Sequence, residues 1–248
     1  MKNTVCLLLS GLILWAFRFA AAAPVVATKV YVISLTGSEV HEKPSFQARV
    51  VRKLPIGTAV DVVQTIASDD VKQVGAGFAL QGDWMKVTAP GYTGYVFSSD
   101  VTKRKPEVKK SADGLLSVDL LGVKKSSRVE KKKQPTGNKN SPADYAVLET
   151  TEYANCTYTT TTYDGCFDHN YTFRHLTLPE VYHHMISSYA ENEYDHSLKA
   201  TKLEQPKLLS RKGNVYRFTC GFGGSATQDL KLTVQGNGVI TISSYDCT

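Results

Sequence analysis

Five of the six histidines fall between positions 169 and 196: His169, His175, His183, His184 and His196. Glu180, Glu191, Glu193 and Asp195 stand among them. Imidazoles and carboxylates together are the material of metal sites and of general acid–base chemistry. The spacing supports neither. A helical zinc site of the H-E-x-x-H kind puts two ligands and a base on one helix face, and the adjacent pair His183-His184 lacks that spacing. These side chains read as solvated helix residues with one satisfied core histidine. No G-x-S-x-G nucleophile elbow occurs. The glycine-rich stretch Cys220-Gly-Phe-Gly-Gly-Ser225 lacks the lysine and helix of a phosphate loop and reads as a turn. The sequence therefore assigns no catalytic residue, no metal site and no cofactor.

Cysteine is the remaining reactive type. Cys6 sits in an N-terminal segment that has the layout of a secretory signal peptide. Lys2 supplies its positive end, residues 5–17 its apolar run, and Ala20 and Ala22 the small residues before cleavage. Residues 1–22 are expected to be removed, leaving a chain that is exported to the periplasm or the exterior. Four cysteines then remain: Cys156, Cys166, Cys220 and Cys247. An even number in an exported chain reads as two disulfides. Three connectivities are open. Hairpin-like flanks favour Cys156–Cys166 with Cys220–Cys247, and no pair has the short gap of a zinc knuckle. Oxidised cysteines would leave no thiolate nucleophile.

The formal net charge of +6 invites a nucleic-acid reading until it is mapped along the chain. Residues 24–101 are neutral overall and residues 141–248 are acidic. The basic excess lies in residues 102–140, with lysine runs at 103–105 (including Arg104), 109–110, 124–125 and 131–133. Pro106, Pro135, Gly137 and Pro142 interrupt that stretch. Residues 104–142 thus read as a flexible Lys-rich linker between two domains. Weak contact between it and anionic polymers or lipid is expected, and nucleic acid is not. Within it, residues 114–123 carry six aliphatic side chains. They are expected to form a strand or turn adhering to a neighbouring domain. A docking segment for a partner is the sharper alternative.

The elements around these residues are mostly strands. Residues 29–35, 50–54, 58–65, 84–88 and 94–97 are short runs of branched and aromatic residues separated by Gly and Pro turns. So many short strands in about 75 residues indicate a small barrel. Here the sequence resembles the bacterial SH3-like domain. V-H-E-K-P-S at 40–45 comes first. A-R-V-V-R-K-L-P-I-G-T-A-V-D-V-V at 48–63, G-D-W-M-K-V at 82–87 and Y-T-G-Y-V at 92–96 follow in the family's order. The likeness covers residues 28–103. It implies a ligand-binding barrel without catalysis. The implied groove is lined by Phe46, Trp84, Tyr92 and Tyr95, with His41, Glu42 and Lys43 on the adjoining loop. The implied partner is a cell-wall peptide or glycan, or an envelope protein. The departure from the family is an extra loop at residues 67–80.

Residues 143–248 read as an α+β domain of no recognised family. A threonine-rich strand at 155–163 and a further β stretch at 169–175 precede a helix opening at Leu178-Pro-Glu180. Val181, Met185, Ile186 and Tyr189 give that helix one apolar face. Strands are expected at 198–203, 215–220, 230–235 and 239–244, with a tight hairpin at Gln235-Gly-Asn-Gly238. The sequons beginning at Asn155 and Asn170 read as chance. The fold class is therefore mainly β: an SH3-like barrel, a basic linker and a disulfide-containing α+β domain. The expected function is an exported, non-enzymatic binding protein. The alternative is a cell-envelope hydrolase, targeted by the barrel and using His184 or Glu191 in its second domain.

Overall fold

A computed structural model describes residues 28–75, 77–133, 145–163, 165–194, 200–220 and 227–247. The expected signal peptide lies outside them. Among the described residues, no helix is long and apolar enough to cross a membrane.

The first part of the chain forms β1 (Thr28–Val32), β2 (Ser38–His41), β3 (Val50–Leu54), β4 (Ala59–Ile66), β5 (Val71–Gly75), β6 (Phe78–Gln81), β7 (Trp84–Ala89), β8 (Tyr92–Phe97) and β9 (Val101–Thr102). β-branched side chains suit strands because their restricted χ1 packs well on a pleated face. Val30, Val32, Val40, Val60, Val87 and Val96 accordingly gather into one small core. Gly57 closes the turn before β4 at φ +80°, where a side chain would be strained. Gly94 is needed for a different reason: a Cβ there would stand 2.5 Å from Val40 Cγ1 and 2.7 Å from the His41 carbonyl. Seven of these strands form one antiparallel sheet in the order β3-β2-β8-β7-β4-β1-β9. β3 and β9 are its edges, so hydrogen bonding does not close the expected barrel.

The extra loop is a hairpin. Among the described residues β5 and β6 pair only with each other, and they carry Phe78 and Leu80 out of the first sheet into a second, larger core.

Residues 107–133, expected to be flexible linker, are built of strands. β10 (Glu107–Lys110) and β11 (Leu116–Asp119) form a hairpin, and β12 (Lys124–Lys133) runs for ten residues. Val118 and Leu120 are buried in the larger core, which confirms the adhering strand and leaves these two residues unable to dock a partner. β12 pairs along its length with the next strand, from Lys124 opposite Tyr153 to Lys133 opposite Tyr145. Its lysines are compatible with this because it is an edge strand. Lysine on an edge keeps its charge in water and discourages pairing with other chains. The rest of the proposed linker, residues 134–142, lies outside the described residues.

The second part contains β13 (Tyr145–Tyr153), β14 (Cys156–Tyr163), β15 (Cys166–Phe173), α1 (Leu178–Ser188), β16 (Glu191–Tyr194), β17 (Ala200–Glu204), β18 (Leu208–Lys212), β19 (Val215–Phe218), β20 (Thr227–Val234) and β21 (Ile240–Cys247). An eight-stranded sheet runs β12-β13-β14-β15-β21-β20-β19-β18, and β16 pairs with β17 apart from it. The Gln235–Gly238 turn joins β20 to β21 as expected: Gly238 N–H donates to the Gln235 carbonyl.

Helix α1 begins with a capping box. Thr177 Oγ1 accepts from Glu180 N–H, and the Glu180 carboxylate accepts from Thr177 N–H. Pro179 occupies the first turn, where its missing N–H costs nothing. The expected apolar face is present, but nearly every residue of the helix is buried, His183 and His184 included. The reason is that α1 is covered from several sides. It touches β21 of the large sheet, β11 of the former linker, and β6 with the 3₁₀ turn Ser98–Asp100 of the first part.

The larger core therefore joins Ile33, Phe78 and Leu80 to Val118 and Leu120, and to Phe173, Met185, Leu232 and Ile242. Boundaries at 103 and 143 do not separate independent cores.

The cysteine pairing also differs from expectation. Cys166 is bonded to Cys247, its direct neighbour in the β15–β21 register. Cys156 stands at the far end of the β14–β15 ladder, opposite Phe173, and is a buried free thiol. Cys220 is also free. Cys156 and Cys166 flank a hairpin, as the sequence suggested. Full-length pairing of its two strands is what places them at opposite ends, out of reach of each other.

Candidate ligand-binding cleft

Three of the residues expected to line the groove meet, but as packing. Trp84 is 1% exposed, and its Nε1–H donates to Asp70 Oδ2 at 2.7 Å. His41 is buried edge-on to the Trp84 ring at 5.4 Å, and its Nδ1–H donates to the Ala48 carbonyl at 3.0 Å. Phe46 covers both Trp84 and Phe97, with ring centroids 4.9 and 4.8 Å away. Tyr95 lies beside this cluster, opposite His41 and Lys86. Tyr92 is separate: it packs against the valine core, with the Arg52 guanidinium 5.1 Å over its ring. Lys43 and Glu42 are exposed, and Glu42 pairs with Arg49 at 3.2 Å.

The helix histidines, expected to be solvated apart from one core ring, are both buried. His184 Nδ1–H donates to the Val118 carbonyl at 3.0 Å, and burial pushes its pKa below the usual 6.5. His183 Nε2 lies 3.6 Å from Asp100 Oδ1. Asp100, itself buried, holds Lys72 of the β5–β6 hairpin at 2.6 Å. Burial alone would raise the Asp100 pKa, but the nearby His183 ring and the Lys72 charge outweigh it and hold the carboxyl below 3.8. Both ring nitrogens of His169 are committed, one to Tyr158 Oη at 2.7 Å and one to Asp246 Oδ2 at 3.1 Å. Among the described residues, no cluster of His, Cys, Asp and Glu fits a metal ion. His196 and Asp195 lie outside those residues.

Sequence reasoning missed the cleft of about 590 Å³ that opens where the first sheet meets the N-terminus of α1. Its apolar wall is Val30, Met85, Val101 and Pro179, and its polar side is Gln81, Ser98, Thr102, Thr177 and Glu180. Lys103, Arg104 and His175 complete the lining. The two parts of the chain are tied together at this point. Thr102 Oγ1 donates to Glu180 Oε1 at 2.5 Å, while Glu180 Oε2 accepts from Thr177 N–H and Oγ1. Arg104 is aimed by its own neighbours: Nη2–H donates to the His175 carbonyl at 2.9 Å, and Nη1–H reaches Asn155 Oδ1 at 3.5 Å. A guanidinium carries five N–H donors, so these two contacts leave three to spare.

The arrangement is suited to holding an anionic, partly apolar group. Glu180 is the one carboxylate on the lining among the described residues, and both its oxygens are already occupied. Lys103 and Arg104 have no carboxylate partner among the described residues. A sequence signal existed for half of this site. T-L-P-E at 177–180 is a capping box followed by an apolar run, which fixes Thr177 and Glu180 at a helix start. Nothing local marks Thr102 or Arg104 as their neighbours. Comparison with protein-family models, curated proteins and solved structures finds no match to this chain.

Proposed function

We propose that this is an exported binding protein that takes an acidic, peptide-like ligand of the cell envelope in the cleft between its first sheet and helix α1. The observation that carries this reading is the pairing of an apolar wall with two cationic side chains that have no carboxylate partner, one of them oriented by hydrogen bonds. Such pockets fix orientation with a few polar groups while apolar surface contributes to affinity. Export is supported by the signal-like N-terminus and by the Cys166–Cys247 disulfide, a bond that persists in oxidising compartments. The resemblance of residues 28–103 to SH3-like domains supports a wall peptide as the source of the acidic group. In this reading the aromatic cluster around Trp84 is scaffold, and recognition has moved to the seam. A hydrolase using His184 is disfavoured, because that ring is enclosed.

The test is binding of the mature chain to purified sacculi and to an N-acetylated peptide amide bearing a single aspartate. Both are expected to bind, and Arg104→Ala is expected to weaken both by on the order of tenfold, the worth of a charge-assisted hydrogen bond. Circular dichroism should be unchanged. Unaltered binding by a folded Arg104→Ala variant rejects the cleft.

A further inference from the structure

A second cavity, of about 520 Å³, adjoins the first, and Gln81 and Pro179 belong to the walls of both. Its floor is apolar, formed by Phe78, Leu178 and Tyr216. The Phe78 and Tyr216 rings meet at a tilt of 40° with centroids 4.5 Å apart, so the floor is made largely of aromatic side chains. Arg211 on β18 also lines it. Its guanidinium lies 5.0 Å over the Tyr216 ring, and its Nε–H donates to the Gly213 carbonyl at 3.0 Å. These contacts hold the head in place and leave both terminal nitrogens free to donate. Like Lys103 and Arg104, Arg211 has no carboxylate partner among the described residues.

Lys103 and Arg104 thus line the first cavity alone, Arg211 the second alone, and Gln81 and Pro179 line both. Two positive ends separated by an apolar trough complement an extended chain with a negative charge near each end. A compact anion would meet only one of them.

We infer that the two cavities form one groove for a linear peptide carrying two carboxylates, the first held by Lys103 and Arg104 and the second by Arg211. This rests on the proposed use of the first cleft and extends it to the ligand's length and charge pattern.

The experiment uses the mature full-length chain and N-acetylated peptide amides. One series has aspartate at both ends with two to five alanines between; its partner series has asparagine in place of one terminal aspartate. At one spacer length the doubly acidic peptide is expected to bind on the order of tenfold tighter than the singly acidic one. Arg211→Gln should erase that advantage without altering the singly acidic peptide, and Arg211→Lys should restore part of it. Arg104→Ala should weaken both peptides. No advantage at any spacer length, or an advantage that survives Arg211→Gln, overturns the two-ended groove. If Arg104→Ala still weakens binding in that case, the first cleft stands alone. If Arg104→Ala changes neither peptide, the cleft reading fails and the groove fails with it.

Discussion

His184 illustrates how a residue type suited to chemistry can be spent on folding. Its ring is buried edge-on to Phe173 and bonded through Nδ1 to the Val118 carbonyl, so it joins α1 to β11. Enclosure disfavours the charged ring and lowers its pKa below 6.5. An unfolded chain takes up a proton as pH falls through 6.5, and the folded chain does not follow until its own lower pKa is reached. The unfolded state then binds more protons, and stability is lost across that window. The slope can reach about 1.4 kcal/mol per pH unit for one proton. Urea midpoints should therefore fall between pH 7.5 and pH 5, and His184→Gln, which can still donate to Val118, should flatten the decline. An equal decline in the variant would assign the effect elsewhere. Asp100, also held at a low pKa, adds a further loss only below about pH 3.8. Cys156 follows the same logic in reverse: burial pushes its thiol up to about 12, so it is inert packing at neutral pH.

At the scale of elements, local pattern was legible wherever one face of a strand or helix meets a core. β3, β4, β7 and β14 stand within a residue or two of their expected ranges, and α1 starts at Leu178 because Thr177, Pro179 and Glu180 specify that start. Charge misled where partner strands decide. Lys124–Lys133 reads as solvated coil, yet β13 offers it a full-length ladder on one side and water on the other. The groove was misread for a related reason. Aromatics such as Trp84 and Phe46 serve equally as lining or as packing, and the choice depends on Asp70, a residue of the inserted loop that takes the indole N–H. That insertion is the least predictable element and the most consequential. Its Phe78 is 2% exposed and lies against Tyr182, Tyr216 and Phe218. Truncation to alanine is expected to cost about 3–5 kcal/mol, the range for buried aromatics. Val63→Ala, at an exposed position, should stay within about 0.5 kcal/mol. Chemical denaturation of the two variants side by side measures the difference. A mild Phe78 effect would mean that the hairpin is not integral to the core.

The whole molecule behaves differently if its parts share a core than if a tether joins them. A tethered pair would unfold in two steps and tolerate separation. Here Ile33, Phe78 and Leu80 from the first part are enclosed by residues of the second. The Lys72–Asp100–His183 cluster and the Thr102–Glu180 hydrogen bond cross the same seam. The net charges of the segments, neutral, basic and acidic, then describe adjoining surfaces of one body. The basic strand β12 lies directly against β13, which carries Glu149 and Glu152. The consequence is thermodynamic coupling: loss of either sheet exposes apolar area of the other, so partly unfolded states are penalised. Calorimetry of the intact chain should show one transition whose calorimetric and van't Hoff enthalpies agree. A fragment of residues 28–103 should melt far below the intact protein and expose the hydrophobic surface that Phe78 and Leu80 otherwise bury. Two resolved transitions, or a fragment as stable as the whole, would return the protein to two independent domains. That outcome would also remove the seam on which the cleft depends, because Arg104 of one part of the chain is held by His175 and Asn155 of the other.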